Sequence, residues 1–314
     1  VSLFCRSITA VGLLFGAASL IFANTFEFTT IQDPLSIATV PRAINNAGQI
    51  VGYEQDPSFP TPGFIDNGGV FSTFVAPSAG VTDALAINSS GQIVGNEVVP
   101  GGNHGFLYRG GIFTTIDYPT TPGATIFTGI NDFGEIIGER PCGSLSCSFI
   151  YSGGVFTDIV DPAATEGIFA HGINNAGVIV GDYADSTGQH GFVDNGGVFT
   201  TLNDPLASSG TNQGTEAWGI NNLGQIVGYF TEGGVAHGFL YSNGVYTTID
   251  DPLAKVATEI FGINDAGQMV GSVDYGQVGG FLATPTPEPS TLATFSIALF
   301  GLTASQFRKL HAKR

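Results

Sequence analysis

Basic side chains are scarce in this 314-residue sequence, which sets nine Lys and Arg against 26 Asp and Glu for a formal net charge of −17. Five of the nine (Arg6, Arg308, Lys309, Lys313 and Arg314) lie near the ends. The stretch from Asn24 to Thr286 therefore keeps only Arg42, Arg109, Arg140 and Lys255, while holding every acidic residue except Glu288. Such a body repels phosphate backbones, which argues against nucleic acid as a partner and favours cations or neutral polymers. Cysteine is nearly absent. Cys5 falls in a terminal segment, leaving Cys142 and Cys147 in ERPCGSLSC. In an exported chain that pair reads as a small disulfide-closed loop, with two free thiols as the alternative, and no second Cys or His pair lies close enough in sequence for a metal site. Also missing are a GxSxG elbow, a P-loop, an HExxH helix and an Asp-rich calcium loop, so no catalytic residue, metal or cofactor is assigned.

Long apolar runs are confined to the two ends. Residues 1–23 carry Arg6, the apolar run Ile8 to Phe22 and then Ala23, the order of parts of an export signal helix, with the mature chain beginning near Asn24. At the other end, PTPEPS (Pro285 to Ser290) precedes the mostly apolar Thr291 to Phe307 and the basic RKLHAKR. This run is at the short end for a transmembrane helix, and the basic cluster would hold the last residues in the cytoplasm. The arrangement in 285–314 resembles the PEP-CTERM sorting signal of diderm bacteria. Pro287, Glu288 and Pro289 form the tripeptide, and Arg308 and Lys309 open the basic end. The resemblance implies export, transient anchoring in the inner membrane, processing by an exosortase, and release or attachment at the cell surface, often where exopolysaccharide is made. An ordinary membrane anchor is the alternative.

Between the ends, one unit recurs. GINNAGVIVG from Gly172 has near-copies at Ala43, Ala86, Gly129, Gly219 and Gly262, placing an Asn at 45, 88, 131, 174, 221 and 264. A period of about 43 residues points to an array of small β units. Each unit divides into four short strands. The first ends in Ile-Asn before an Asn/Gly turn, the second is QIVG or its like, a longer connection leads to a third of the GFLY type, and a tight turn leads to a fourth of the VFTT type.

The sixth unit stops after its third strand, at Phe281 and Leu282. The missing fourth strand stands at the start of the array, where FEFTTIQDP (Phe26 to Pro34) matches VYTTIDDP (Val245 to Pro252). A first segment that completes the last unit is what a closed ring requires, because closure removes free sheet edges. Residues 24–284 are therefore expected to be a six-bladed β-propeller of four-stranded blades closed by the N-terminal strand, with a β-solenoid as the rival. The pattern GINxxGxIVG, followed by HGF at His104, His190 and His237 and then VFTTID, resembles the extracellular HAF repeat. That resemblance implies an extracellular protein and transfers no catalytic residue.

In the propeller, small residues precede each Ile of the innermost strand because strands crowd toward the axis. One position earlier stand six different residues: Arg42, Leu85, Thr128, His171, Trp218 and Phe261. They read either as an asymmetric ligand-lining ring, with Arg42, His171, Trp218 and Phe261 as the candidate binding residues, or as fillers of uneven gaps between blades. His104, His190 and His237 sit on separate blades and read as structural hydrogen-bonding residues. Asp33, Asp161, Asp204 and Asp251 precede Pro and read as turn formers rather than paired catalytic carboxylates. The expected function is a non-enzymatic surface or matrix scaffold, with exopolysaccharide or surface proteins as partners beside the export machinery. The alternative is an extracellular glycan-active enzyme with its site in the axial funnel.

Overall fold

The computed structural model describes residues 25–286, apart from 56–59, 78, 211–212 and 275–278. Six four-stranded antiparallel sheets follow one another around an axis. The chain is all-β and forms a six-bladed propeller. Five blades are built in sequence order; the fourth, for example, takes Ile168–Ile173, Val178–Asp185, Gly188–Asn195 and Phe199–Leu202 from the axis outward. In the sixth, Thr258–Ile263, Met269–Val273 and Gly280–Pro285 are completed by Phe26–Ile31 from the other end of the array. Phe28 lies opposite Ala283 and Thr30 opposite Phe281, and the rings of Phe28 and Phe281 meet at 5.4 Å. The ring is closed by its own beginning. The third strand of that blade ends at Pro285. The expected export-signal and transmembrane helices and the expected sorting residues Pro287, Glu288, Pro289, Arg308 and Lys309 lie outside the described residues.

Burial follows the alternation of the strands. Phe64, Phe106, Phe149, Phe192, Phe239 and Phe281, one per blade, are at most 1% exposed and fill the space between neighbouring sheets. The crowding near the axis is equally direct. A Cβ added to Gly172 would come within 2.9 Å of the Trp218 carbonyl oxygen on the next blade. Glycine meets this approach in the last four blades, and alanine stands at the same position in the first two.

The turns follow the Asn signal. In each, the Asn side-chain oxygen accepts the backbone N–H groups two and four residues on, as Asn174 does from Ala176 and Val178 at 3.0 Å. The Asp residues before Pro behave as expected too. Asp33, Asp161, Asp204 and Asp251 each accept the N–H two residues on at 2.8–2.9 Å. One expectation needs correcting. In the second to fifth blades the link between strands two and three is a tight hairpin, as between Cys142 and Leu145 or Glu232 and Val235, and only the first and last blades keep a longer connection. The two strands stay paired further out than the composition of the link suggests, for instance as far as Asp185 opposite Gly188. Cys142 and Cys147 are joined as a disulfide across the hairpin of the third blade.

Candidate functional site: the axial funnel

The innermost strand of every blade carries a β-bulge, always at the same place. In the fourth blade Ala170 pairs with Gly181 and Gly172 with Val180, leaving His171 without an opposite number. The residues skipped in the other blades are Arg42, Leu85, Thr128, Trp218 and Phe261. A bulge bends the strand and re-aims a side chain, and here all six are turned to the axis, where together they line a cavity of about 30 Å³. That is room for a water molecule or two and not for a sugar.

Four of the six form a continuous stack. The imidazole of His171 lies 3.9 Å from the Trp218 ring with the planes 6° apart. The Arg42 guanidinium sits 4.5 Å from the Trp218 centroid and 4.1 Å from that of Phe261, and these two rings meet edge to face at 5.2 Å. The residues singled out from sequence as a ligand-lining ring are thus brought together, and they fill the axis by packing on one another. Thr128 also bonds across blades, its hydroxyl donating to the Ala170 carbonyl at 2.6 Å.

The passage below this plug, a cavity of about 90 Å³, leads to hydrogen-bonded rings. Asn45, Asn88, Asn131, Asn174, Asn221 and Asn264 each donate a side-chain N–H to the main-chain carbonyl of the equivalent Asn on the next blade, at 3.0–3.3 Å, in an unbroken circle. The next position forms the mouth on the tight-turn face, where Asp265 N–H donates to Asn46 Oδ1 at 2.8 Å and Asn46 Nδ2 donates to Asp265 Oδ2 at 2.7 Å. The cavity there is about 80 Å³. The opposite face lies on the far side of the plug.

Toward that opposite face, two residues before each bulge and on the second strand beside it, the funnel wall is acidic. Asp83, Glu139, Asp182, Glu216 and Glu259 all come from these two levels. His171 Nε2 lies 2.7 Å from Asp182 Oδ1, and its Nδ1 is 3.7 Å from Glu139 Oε1. Glu216 Oε2 accepts from Trp218 Nε1–H at 3.3 Å and from the Tyr229 hydroxyl at a shorter distance. Asp83 accepts from Asn96 Nδ2 at 3.3 Å, and Glu259 from the Ser272 hydroxyl at 3.1 Å.

Withdrawal from water is the largest influence on every one of these groups. It raises Asp182 to about 8 and Glu139 and Glu216 to about 7, and it also raises Asp83 and Glu259. The Tyr53 and Tyr229 hydroxyls move up as well, while His171 and Arg42 move down. With Asp182 protonated, its O–H donates to His171 Nε2 and the imidazole proton sits on Nδ1, facing Glu139. Among the described residues that Nδ1 has no hydrogen-bond partner.

A separate cavity of about 420 Å³ lies between the first and second blades and shares Asp83 with the acidic wall. Its lining includes Ile37, Tyr53, Gln55, Thr61, Val81 and Asp83. Neither this side cavity nor the acidic wall was foreseen from sequence. The repeated signal that bears on them is the Gly of each QIVG copy, which stands opposite the bulge. A Cβ on Gly181 would lie 2.0 Å from the Phe169 carbonyl oxygen and 2.8 Å from the Phe192 ring. The remaining histidines stay apart on their own blades, where His104, His190 and His237 bond Asp117, Asn203 and Asp250 at 2.8–3.0 Å. Among the described residues no group of three or more His, Cys, Asp and Glu is disposed to hold a metal ion.

No protein-family model and no curated protein matches the chain. Solved structures do. TolB from Acinetobacter baumannii is 11% identical with a TM-score of 0.53, the match covering 76% of this chain and 63% of TolB. The β-propeller domain of the trilobed protease from Pyrococcus furiosus is 11% identical with a TM-score of 0.49, covering 78% of each chain. A mutant lectin from Aleuria aurantia, solved with Fucalpha1-6GlcNAc, is 14% identical with a TM-score of 0.47, covering 80% of this chain and 97% of the lectin. At these identities the likeness is one of fold.

Proposed function

We propose that the protein is an exported, non-enzymatic interaction scaffold that binds polysaccharide on the face of the propeller away from the tight Asn turns. The observation that carries this reading is the side cavity. Its volume of about 420 Å³ suits one or two sugar rings, and its lining combines an aromatic ring, an amide, a hydroxyl and a carboxyl with two aliphatic side chains. The filled axis supports the same reading, since it leaves recognition to the open face. The surface address rests on the resemblance of 1–23 to an export signal and of 285–314 to a PEP-CTERM tail, with an exosortase as the processing partner. A glycan-array screen of the purified full chain, with and without calcium, tests the proposal. Binding without turnover is the expected result, and a blank array would remove the polysaccharide reading.

A second reading, an extracellular glycan-active enzyme, draws on one specific arrangement. His171 stands between Asp182 and Glu139, two carboxyls whose proton affinities lie near neutrality, as a general acid and base require. Release of shortened product from a bound glycan, abolished in His171→Ala with folding intact, would favour it over the scaffold.

A further inference from the structure

We infer that the ligand of the side cavity and funnel mouth is an amine-bearing saccharide, one whose sugar rings carry protonated amino groups. This rests on the polysaccharide reading and narrows it to a charge class.

Five carboxyl groups (Asp83, Glu139, Asp182, Glu216 and Glu259) face one narrow funnel together with a single guanidinium and a single imidazole. Arg42 is committed to the rings of Trp218 and Phe261, and His171 is held against protonation by its burial. One fixed cation thus stands among five acids. Such a site disfavours the ionised form of its own carboxyls, and an external cation that enters favours that form and draws off their protons. An anionic or phosphorylated glycan would meet its own sign of charge and be repelled.

A second feature is independent of the carboxyl count. The His171 side chain is only 8% exposed, yet its Nδ1 lies buried without a hydrogen-bond partner, 3.7 Å from Glu139 Oε1. A buried polar atom left unsatisfied is costly, and it marks a place where a water or a ligand group completes the bonding. Nδ1 is enclosed beside the Glu139 carboxyl on the funnel wall.

The third feature is shape. Asp83 stands on the acidic wall, where it feels the Arg42 charge, and it also lines the side cavity. Next to it Tyr53 presents an aromatic ring, Gln55 and Thr61 present polar groups of the kind that read sugar hydroxyls, and Ile37 and Val81 cover the apolar face of a pyranose. A simple metal cation would need neither the aromatic ring nor the volume. A neutral sugar would add no positive charge to the one guanidinium that Asp83 and Glu259 share.

The test uses the purified full chain and two probes of equal length, a hexamer of β-1,4-linked glucosamine and the same hexamer fully N-acetylated, measured by calorimetry at about 0.15 M salt, where long-range attraction to the acidic surface is screened. The amino hexamer is expected to bind, the acetylated one about tenfold more weakly or not at all, and Asp83→Asn to lose about tenfold toward the amino form alone. Gln55→Ala, at an exposed rim position, serves as a second variant that leaves the packed wall intact, and it should weaken the amino hexamer too. Equal binding of both hexamers would overturn the charge class and leave the polysaccharide reading standing. Binding of the amino hexamer unaffected by either variant would overturn the site. Failure of both hexamers to bind would overturn this inference, whereas the broader reading falls only with a blank glycan array.

Discussion

The side chain of Asn264 donates to the main-chain carbonyl of Asn45 at 3.2 Å, across a sequence separation of 219 residues, and this bond closes a circle of six. Each member does two jobs at once. Its oxygen organises its own turn, and its N–H binds the next blade. Both are buried, so neither can be replaced by water.

Replacing Asn264 by Ala therefore removes an inter-blade bond and strips the N–H groups of Ala266 and Gln268 of their acceptor. The expected loss is about 2–4 kcal/mol, the sum of a few buried hydrogen bonds left unmade. Urea denaturation should show it as a lower midpoint. The neighbouring exposed Asn46, changed to Ala, should cost less than about 1 kcal/mol. Equal losses would mean that the inner circle has no special part in closure.

Gly181 supplies a steric counterpart. Alanine there would set a methyl group 2.0 Å from the Phe169 carbonyl oxygen, opposite the bulge that presents His171. Relief requires the two strands to part, at a cost of about 1–3 kcal/mol. The same movement displaces His171 from the Trp218 ring, so a ligand that binds the funnel should bind the variant less well even where it remains folded. A Gly181→Ala protein with wild-type stability would contradict the close approach.

The ring architecture was legible because it is written in counts: six Asn, five complete units and one unit whose fourth strand is displaced to Phe26–Ile31. The six axial residues were legible for a related reason, since variety at one position stands out against repetition. What they do was not. Whether Arg42 lines a site or fills a gap depends on how far a guanidinium reaches across the axis to Trp218 and Phe261, and periodicity carries no such distance. The acidic wall was hidden because Asp83, Glu216 and Glu259 lie on first strands whereas Glu139 and Asp182 lie on second strands. Only pairing in register places them on a common surface.

That wall makes stability depend on pH. Asp182, Glu139 and Glu216 bind their protons more tightly in the folded chain than in the unfolded one, with affinities raised to about 8, 7 and 7. Their contribution is complete below the ordinary carboxylate range and is lost as pH rises through about 7 to 8. The melting temperature should fall between pH 5 and pH 9, and Asp182→Asn, which cannot ionise, should flatten the fall. A melting temperature that rises over this interval, or a variant with the wild-type slope, would show that these carboxyls are ionised throughout.

Trp218 is the only tryptophan in the chain, so its emission reports on the plug alone. It is stacked on His171 at 3.9 Å, and a protonated imidazole in that position withdraws electron density from the excited indole and quenches it. Burial lowers the His171 pKa below its usual value of about 6.5. Emission should therefore stay constant from pH 8 down through neutrality and drop only in the acid range, with a midpoint below about 6.5. His171→Gln should abolish the step while Trp218 remains shielded. A midpoint above the usual histidine value would mean that Glu139 and Asp182 hold the imidazole in its charged form, and the acid and base assignments on either side of it would be exchanged.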